Sequence, residues 1–445
     1  MQHRNALQTA HRIALDYIEG LDQSPVLATA SLSELKGRFS MPLPESGMDA
    51  ATVIEELAGQ AQGGVLGSSG GRFFGWVIGG NVPSSLAADW LTSTWDQAAV
   101  MYATGPAAAV VEEVCGDWLK QLLGLPQKAS FALVTGCQMA HVTCFLAARH
   151  RVLANLGWDV ERQGLSGAPG IQVLATNLHH GSIERAVKMV GLGLDNLHTL
   201  PAESLVDAVS GPTIVVLQAG DINSGLFDDL ERWIPQLQAR GAWVHIDGAF
   251  GLWAQATNRY KHLAKGVELA DSWATDGHKW LNVPYDCGYA FVRDSEAHRA
   301  SLSHRASYLS HADDARDQID WNPDWSRRAR GFSTYAAIRE LGREGIAQML
   351  ERCCDMAQLI VSEASKLEGV EVLAAPVLNQ GMLAFGEDSR TEAVIAHVVA
   401  SGEAFVTGTT HEGRRAMRLS VCNWQTTRRD AERCVAAIAA ALTSV

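Results

Sequence analysis

The sequence predicts an α/β protein with a large, mainly parallel sheet domain and a small C-terminal α+β domain, and two observations carry that prediction. The first is a series of short apolar runs: Phe131–Val134, Ile171–Ala175, Thr213–Ala219, Ala242–Ile246, Ser272–Ala274 and Gly288–Val292. They are continuously apolar rather than alternating, as expected of strands covered on both faces. Helical patterning fills the intervals at Met139–Leu156, Ser182–Val190, Ala202–Val209 and Leu230–Arg240. Strands alternating with helices predict β-α-β units, and such a sheet places its ligand beyond the carboxyl ends of its strands. The second observation is Arg343–Leu367, where Ile346, Met349, Leu350, Cys353, Ala357 and Ile360 recur at steps of three and four, as on one amphipathic helix. Strand candidates Val370–Leu373, Met382–Phe385 and Met417–Val421 and helices Thr391–Ala400 and Arg428–Leu442 follow it. The resulting division is an N-terminal helical arm over 1–60, broken by Pro25, Pro42 and Pro44, a large domain over 61–340 and a small domain over 341–445.

Composition excludes several classes of function. With 36 Lys plus Arg against 49 Asp plus Glu, the 445-residue chain carries a formal charge of −13. It lacks the basic surface that nucleic acid requires. At 47% hydrophobic it is too apolar for a disordered chain. No apolar run approaches the ~20 residues of a membrane span, and the polar opening Gln2-His-Arg-Asn5 predicts no secretory leader. Eight cysteines without a Cys-x-x-Cys pair predict reduced thiols in a cytoplasmic enzyme. No phosphate loop, zinc helix or nucleophile elbow is present, and no metal site is expected, since His179-His180 does not have zinc spacing.

The richest segment is Asp271-Ser-Trp-Ala-Thr-Asp-Gly-His-Lys279-Trp-Leu-Asn. A lysine is ordinarily a surface residue, yet Trp273, Ala274, Trp280, Leu281 and Val283 surround Lys279 with apolar side chains. A desolvated lysine has a lowered pKa and reacts with a carbonyl. Upstream, Trp243-Val-His-Ile-Asp247-Gly-Ala closes an apolar run with a carboxylate, either aimed into a cleft or forming an Asp-Gly turn. Together the two residues are the pair that pyridoxal phosphate requires: an amine for its aldehyde and a carboxylate to keep its ring nitrogen protonated.

Four blocks extend the pattern. They are Gly71-Arg-Phe-Phe-Gly-Trp-Val with Gly105-Pro-Ala-Ala-Ala-Val-Val-Glu-Glu113; Thr135-Gly-Cys-Gln-Met-Ala-His-Val-Thr143; His179-His-Gly-Ser-Ile-Glu-Arg-Ala186; and Gly220-Asp-Ile-Asn-Ser-Gly225 through Asp247 to His278-Lys279-Trp280. In order and spacing the chain resembles the group II pyridoxal-phosphate-dependent amino-acid decarboxylases, which include aromatic-amino-acid, glutamate and histidine decarboxylases. The resemblance covers nearly the whole chain. It implies the fold-type-I (aspartate-aminotransferase-like) architecture, a homodimer with shared active sites, and an amino acid as substrate. Lys279 would hold the cofactor aldehyde, and Asp247 would pair with its ring nitrogen. His180 would stack on one face of the ring, with Ala249 on the other. Gly136, Cys137 and Gln138 would cradle the phosphate at a helix start, Gln138 through its amide. Asn223 and His278 would be further cofactor contacts. His180 also reads as a helix-start residue, with Ser182 as a cap.

The reaction implied is loss of the α-carboxylate to give an amine. Aldehyde formation, aldolase-type cleavage and transamination are the alternatives at the same lysine, and a non-catalytic binding protein is a further one. One departure bears on the choice. The family brings a tyrosine on a loop from the neighbouring subunit, and the corresponding interval, Ser303–Arg330, places Trp321 near that position; its tyrosine, Tyr308, lies near its start. This interval is the most polar in the chain and reads as a mobile lid or as a solvated connection. Arg327-Arg-Ala-Arg330 reads as a solvated face or as a carboxylate clamp. Arg418 matches a family arginine or sits on a strand edge. Trp76, Phe73, Phe74 and Tyr102 form either an aromatic pocket or ordinary core.

Overall fold

The computed structural model describes residues 2–304 and 315–445; Tyr308, His311, Asp313 and Asp314 of the polar interval lie outside the described residues. The chain divides into two compact units, one of residues 1–78, 356–375 and 381–445, the other of 79–355 and 376–380. In chain order the first elements are α1 (Gln2–Gly20), α2 (Leu32–Phe39) and α3 (Ala50–Ala61). A capping box between Ser31 and Glu34 starts α2, and the Asp49 carboxylate caps α3. Then come α4 (Pro83–Trp95), α5 (Pro106–Leu122), β1 (Ser130–Val134), α6 (Cys137–Ala154), α7 (Val160–Gln163), β2 (Gln172–Thr176), α8 (Gly181–Met189), β3 (Leu197–Leu200) and α9 (Ala202–Ala208). They are followed by β4 (Thr213–Gln218), α10 (Leu230–Ala239), β5 (Trp243–Asp247), β6 (Ser272–Asp276), β7 (Gly288–Val292), α11 (Ser295–Leu302) and α12 (Gly331–Ala364). The chain ends with β8 (Glu371–Val377), β9 (Gln380–Ala384), α13 (Asp388–Ala400), β10 (Thr407–His411), β11 (Arg414–Ser420) and α14 (Arg428–Ser444).

The larger unit is built on a seven-stranded sheet of order β1-β7-β6-β5-β4-β2-β3. Strands β3, β2, β4, β5 and β6 run parallel, and β7 is antiparallel to both β6 and β1. The predicted strands are present, and β1, β4, β5, β6 and β7 are buried along their lengths, which is why they read as unbroken apolar runs. Strand β3, Leu-His-Thr-Leu at the sheet edge, is only partly buried and so carries no such signal. Helix α6 covers one face. Its buried Ala140, Phe145, Ala147 and Ala148 share a core with Val173, Ala175, Val216, Ala274 and Ala290. The predicted helix start at Arg343 marks a real break, because Gly342 interrupts α12 at φ 60, ψ 179.

In the other unit a four-stranded sheet has the order β10-β11-β9-β8. Arg418 lies buried on β11, an interior strand, so it is not a strand-edge residue. Phe73 and Phe74 are core residues there, Phe73 stacking on Phe405 at 4.6 Å. Arg72 is buried as well. Its guanidinium donates to the carbonyls of Leu21, Asp22 and Ser24 on one side and of Gly402 and Glu403 on the other.

Two readings of the polar interval are corrected. From Arg316 onward the chain is neither a loose lid nor a solvated connection. Gln318, Ile319, Asp320 and Asn322 are buried. The Trp321 carbonyl lies 2.9 Å from His298 Nε2, and the Trp321 ring packs edge-on against the same imidazole. The arginine cluster is not a solvated face either. Arg327 is buried, donating to Glu112 Oε1 at 2.7 Å and to the carbonyls of Ala99 and Leu133. Arg328 pairs with Asp89, and Arg330 with Asp286. Burial pushes Glu112 up and Arg327 pulls it back, so that each residue answers for the other's desolvation. Arg327→Met is therefore expected to cost about 3–5 kcal/mol by stranding Glu112. Adding Glu112→Leu to that variant should recover most of the loss, as read from urea denaturation midpoints.

Candidate active site

The sheet register gathers the candidate residues. Strand β5 ends at Asp247, which pairs in register with Ala274 of β6. Asp276 ends β6 and faces Gly288, which also faces Val134 at the end of β1. Thus the ends of β1, β5 and β6 lie at one side of the sheet, and α6 begins there. Gly136 precedes α6 at φ 154, ψ 176, a conformation essentially restricted to glycine. A Cβ on Gly288 would stand 2.4 Å from the Gly136 carbonyl carbon, so the strand must be bare at that point.

Asp276, which the sequence reading did not single out, is the hub. Its Oδ1 accepts the Cys137 backbone N–H at 2.6 Å and lies 3.5 Å from His278 Nε2, and its Oδ2 lies 3.0 Å from Lys279 Nζ. An anion at a helix N-terminus is favourable because the first backbone N–H groups have no partner within the helix. Asp276 also overturns the expected lowering of the Lys279 pKa. Burial is the largest single influence and pulls the ammonium down, but Asp276, Cys137 and Asp247 together hold Lys279 above the usual lysine range. The Lys279 side chain is itself only 20% exposed.

Asp247 is fully buried. Its Oδ1 accepts the Ala249 backbone N–H at 3.1 Å. Its Oδ2 has no hydrogen-bond partner among the described residues and sits 3.5 Å from His141 Nε2, an ion-pair distance. Ala249 is partly buried against the α6 core. His278 stacks on Tyr285 at 4.3 Å and accepts the Cys287 N–H through Nδ1; burial holds its pKa down against the pull of Asp276. His180 is exposed and forms the N-cap of α8, its Nδ1 accepting from the backbone of Ser182. The helix-start reading of His180 is the one seen in the structure. Gln138 departs from expectation: its amide donates to the Ser182 carbonyl at 3.3 Å and ties α6 to α8, which leaves the helix backbone as the donor set for an anion. Asn223 lies in the loop after β4, where its backbone N–H donates to Asp221. All eight cysteines are free and buried. Burial pushes Cys144, Cys353 and Cys434 up to about 12.

The fold is that of the pyridoxal-phosphate decarboxylases, a seven-stranded mixed sheet with a small antiparallel C-terminal sheet. The chain is similar to the solved structure of Oryza sativa TDC with PLP and tryptamine, with a TM-score of 0.92 at 21% identity over 99% of this chain and 97% of that one. It is likewise similar to Rhodiola rosea 4-hydroxyphenylacetaldehyde synthase, with a TM-score of 0.87 at 20% identity over 99% and 98% of the two chains. Sequence fixes the family. The pyridoxal-dependent decarboxylase conserved domain matches residues 34–385, and the chain belongs to that family, as the four blocks implied. An aromatic-L-amino-acid decarboxylase of Bacillus atrophaeus is 24% identical over 380 residues, covering 81% of this chain and 77% of that one.

The residues present fit pyridoxal phosphate. The buried Asp247 Oδ2, which accepts no hydrogen bond among the described residues, suits a protonated ring nitrogen, the α6 terminus suits a phosphate, and Lys279 suits an aldehyde.

Two predictions follow from the charges. Removing the carboxylate by Asp276→Asn lowers the pKa of Lys279, so more amine is neutral at a given pH. The pH dependence of Lys279 trapping by pyridoxal phosphate and borohydride is expected to shift to lower pH in that variant. The second concerns buried imidazoles. Burial holds His141 and His298 down to about 3 and His245 well below its ordinary value. The unfolded chain takes up these protons near pH ~6.5 and the folded chain does not. Stability is thus fully present above pH ~6.5 and is lost as pH falls from there toward 3, by up to about 1.4 kcal/mol per pH unit for each histidine. Denaturation midpoints between pH 7 and 4.5 measure this slope, and replacing His298 with Gln should make it shallower.

Proposed function

We propose that this chain removes the α-carboxylate of an L-amino acid as carbon dioxide and protonates the same carbon to release an amine, using pyridoxal phosphate held on Lys279. The observation that carries the reading is Asp247 Oδ2, a fully buried carboxylate oxygen without a hydrogen-bond partner, on the strand beside the one that leads to Lys279. When bound, pyridoxal phosphate supplies an aldehyde for the substrate's amino group and a ring that accepts the electron pair left by the departing carboxylate. The protein's own residues set the direction of that chemistry. Asp247 holds the proton on the ring nitrogen and thereby keeps the ring electron-poor. Gly136 and Gln138 offer backbone N–H groups to the phosphate at the start of α6, with Cys137, whose own N–H is held by Asp276, between them and His278 and Asn223 as neighbouring contacts. His180 covers one face of the ring and Ala249 the other. Asp276 holds the Lys279 ammonium until the lysine is needed.

The reading includes a cytoplasmic homodimer with shared active sites. Free buried cysteines support the compartment. Exposed apolar side chains of the N-terminal segment, among them Leu32 at 71% and Leu43 at 91%, support a partner surface.

Incubation of the purified enzyme with the common amino acids, with amine, carbon dioxide and aldehyde each measured, tests the reaction. Amine in step with carbon dioxide is expected, whereas aldehyde as the main product makes this an oxygen-consuming member of the family. Lys279→Ala is expected to abolish the borohydride-stable pyridoxyl label, and a label mapped to another lysine would falsify the assignment. Asp247→Asn should lower kcat by about 100-fold or more with little change in KM, because the charge matters most as the carboxylate leaves. Near-normal turnover in that variant would remove Asp247 from the mechanism.

A further inference from the structure

Behind Asp247 lie two buried histidines that the proposed reaction leaves unused. His141 Nε2 stands 3.5 Å from Asp247 Oδ2. His141 Nδ1 is 2.9 Å from His245 Nε2, and His245 Nδ1 is 2.9 Å from Ser272 Oγ. Ser272 Oγ in turn accepts the indole N–H of Trp243 at 2.9 Å. All five residues are buried.

One assignment of the protons runs this row toward Asp247. Burial keeps both imidazoles neutral at ordinary pH, so each carries one N–H and one lone pair. In this assignment His141 carries its proton on Nε2, which faces Asp247 Oδ2 at 3.5 Å, an electrostatic contact rather than a hydrogen bond, and lies 3.4 Å from the Cys137 sulfur. Its Nδ1 then accepts from His245 Nε2–H, and His245 Nδ1 accepts the Ser272 hydroxyl proton. Trp243, which only donates, fills the serine oxygen. In that assignment every donor in the row points toward Asp247.

We propose that His141 and His245 are positioning residues: with Ser272 they form a line of neutral dipoles that orients the Asp247 carboxylate toward the cofactor's ring nitrogen. The neutrality is the useful property. A lysine or arginine in this place would compete with the ring nitrogen for the carboxylate's charge, whereas a neutral N–H steadies the carboxylate and leaves that charge in place. Rigid surroundings hold the row still. Phe145 packs edge-on against His245 at 5.2 Å, and the Cys137 thiol lies 3.4 Å from His141 Nε2. The other titratable groups acting on the pair are Asp276 at the end of β6, Lys279 beyond it, His180 at the start of α8 and Asp247 itself, with the Cys137 thiol in contact. The proposal rests on the reading of Asp247 as the partner of the ring nitrogen.

The test loads each variant with pyridoxal phosphate carrying ¹⁵N in the ring and follows the nitrogen's chemical shift against pH, alongside kcat and KM. In His141→Leu and His245→Leu the nitrogen should lose its proton at lower pH than in the wild type. In both, kcat should fall by about 10-fold, the lower end of what hydrogen-bond partners of metal-binding side chains contribute, with KM nearly unchanged. Gln at either position, whose amide nitrogen stands about where Nε2 does, should restore the wild-type titration. Wild-type titration and turnover in cofactor-loaded leucine variants overturn the proposal. Should those variants fail to fold, Ser272→Ala decides: a titration shifted in the same direction supports the row, and an unshifted one overturns it. Asp247→Asn separates the two readings. If it alone moves the nitrogen titration, only the row falls; if it too leaves the titration unmoved, the role of Asp247 falls and the row with it.

Discussion

The parallel register of β5 on β6 is the constraint from which the candidate site follows. It pairs His245 with Ser272 and Asp247 with Ala274. Because strand side chains alternate, His245 and Asp247 share one face, and that face meets α6. A slip of one residue would turn both to the opposite face and separate them from His141. The helix can approach this closely because the residues it presents to the sheet include Ala140, Ala147 and Ala148. A bulkier row would lift α6 away and with it Cys137 and His141, which are four residues apart and so lie on one helical face.

Next to this stands an electrostatic arrangement centred on Asp276. One carboxylate meets a helix terminus, a lysine and a histidine. The reversal of direction at β7 makes this possible, because Gly288 faces the ends of both β1 and β6 and lets the chain around Gly136 come within contact distance. Two buried carboxylates on neighbouring strands thus acquire different surroundings. Asp276 is fully engaged by charged and polar partners, and Asp247 keeps one oxygen without a hydrogen bond.

Much of this was legible in the sequence, and the exceptions have identifiable causes. Buried parallel strands announce themselves as apolar runs, so the sheet was readable except for β3, which sits at the edge with His198 and Thr199 among its four residues. Lys279 and Asp247 stood out because charged residues interrupt apolar context. Asp276 carried a signal that was passed over: it lies three residues before Lys279. His141 and His245 had periodic signals as well, one helical turn from Cys137 and one strand repeat from Asp247. Their contact with each other depends on how α6 is laid on the sheet, which no local pattern states. The polar interval misled for a related reason. Arg316, Asp320 and Arg327 read as surface residues by type, yet each has a partner distant in sequence: the Phe131 carbonyl, Arg299 and Glu112 respectively.

Arg72 has a bearing on how the chain is made. Its guanidinium joins carbonyls at residues 21–24 to carbonyls at 402–403, within a unit assembled from the first 78 residues and the last 65 or so. The other unit is nearly continuous, from 79 to 355. During synthesis residues 21–24 and Arg72 emerge before the other unit but meet residues 402–403 only after its whole sheet has emerged. Through that interval the Arg72 guanidinium lacks its acceptors at Gly402 and Glu403. A chain cut short before residue 402 would therefore leave Arg72 with the carbonyls of residues 21–24 alone and loosen its beginning as well as its end.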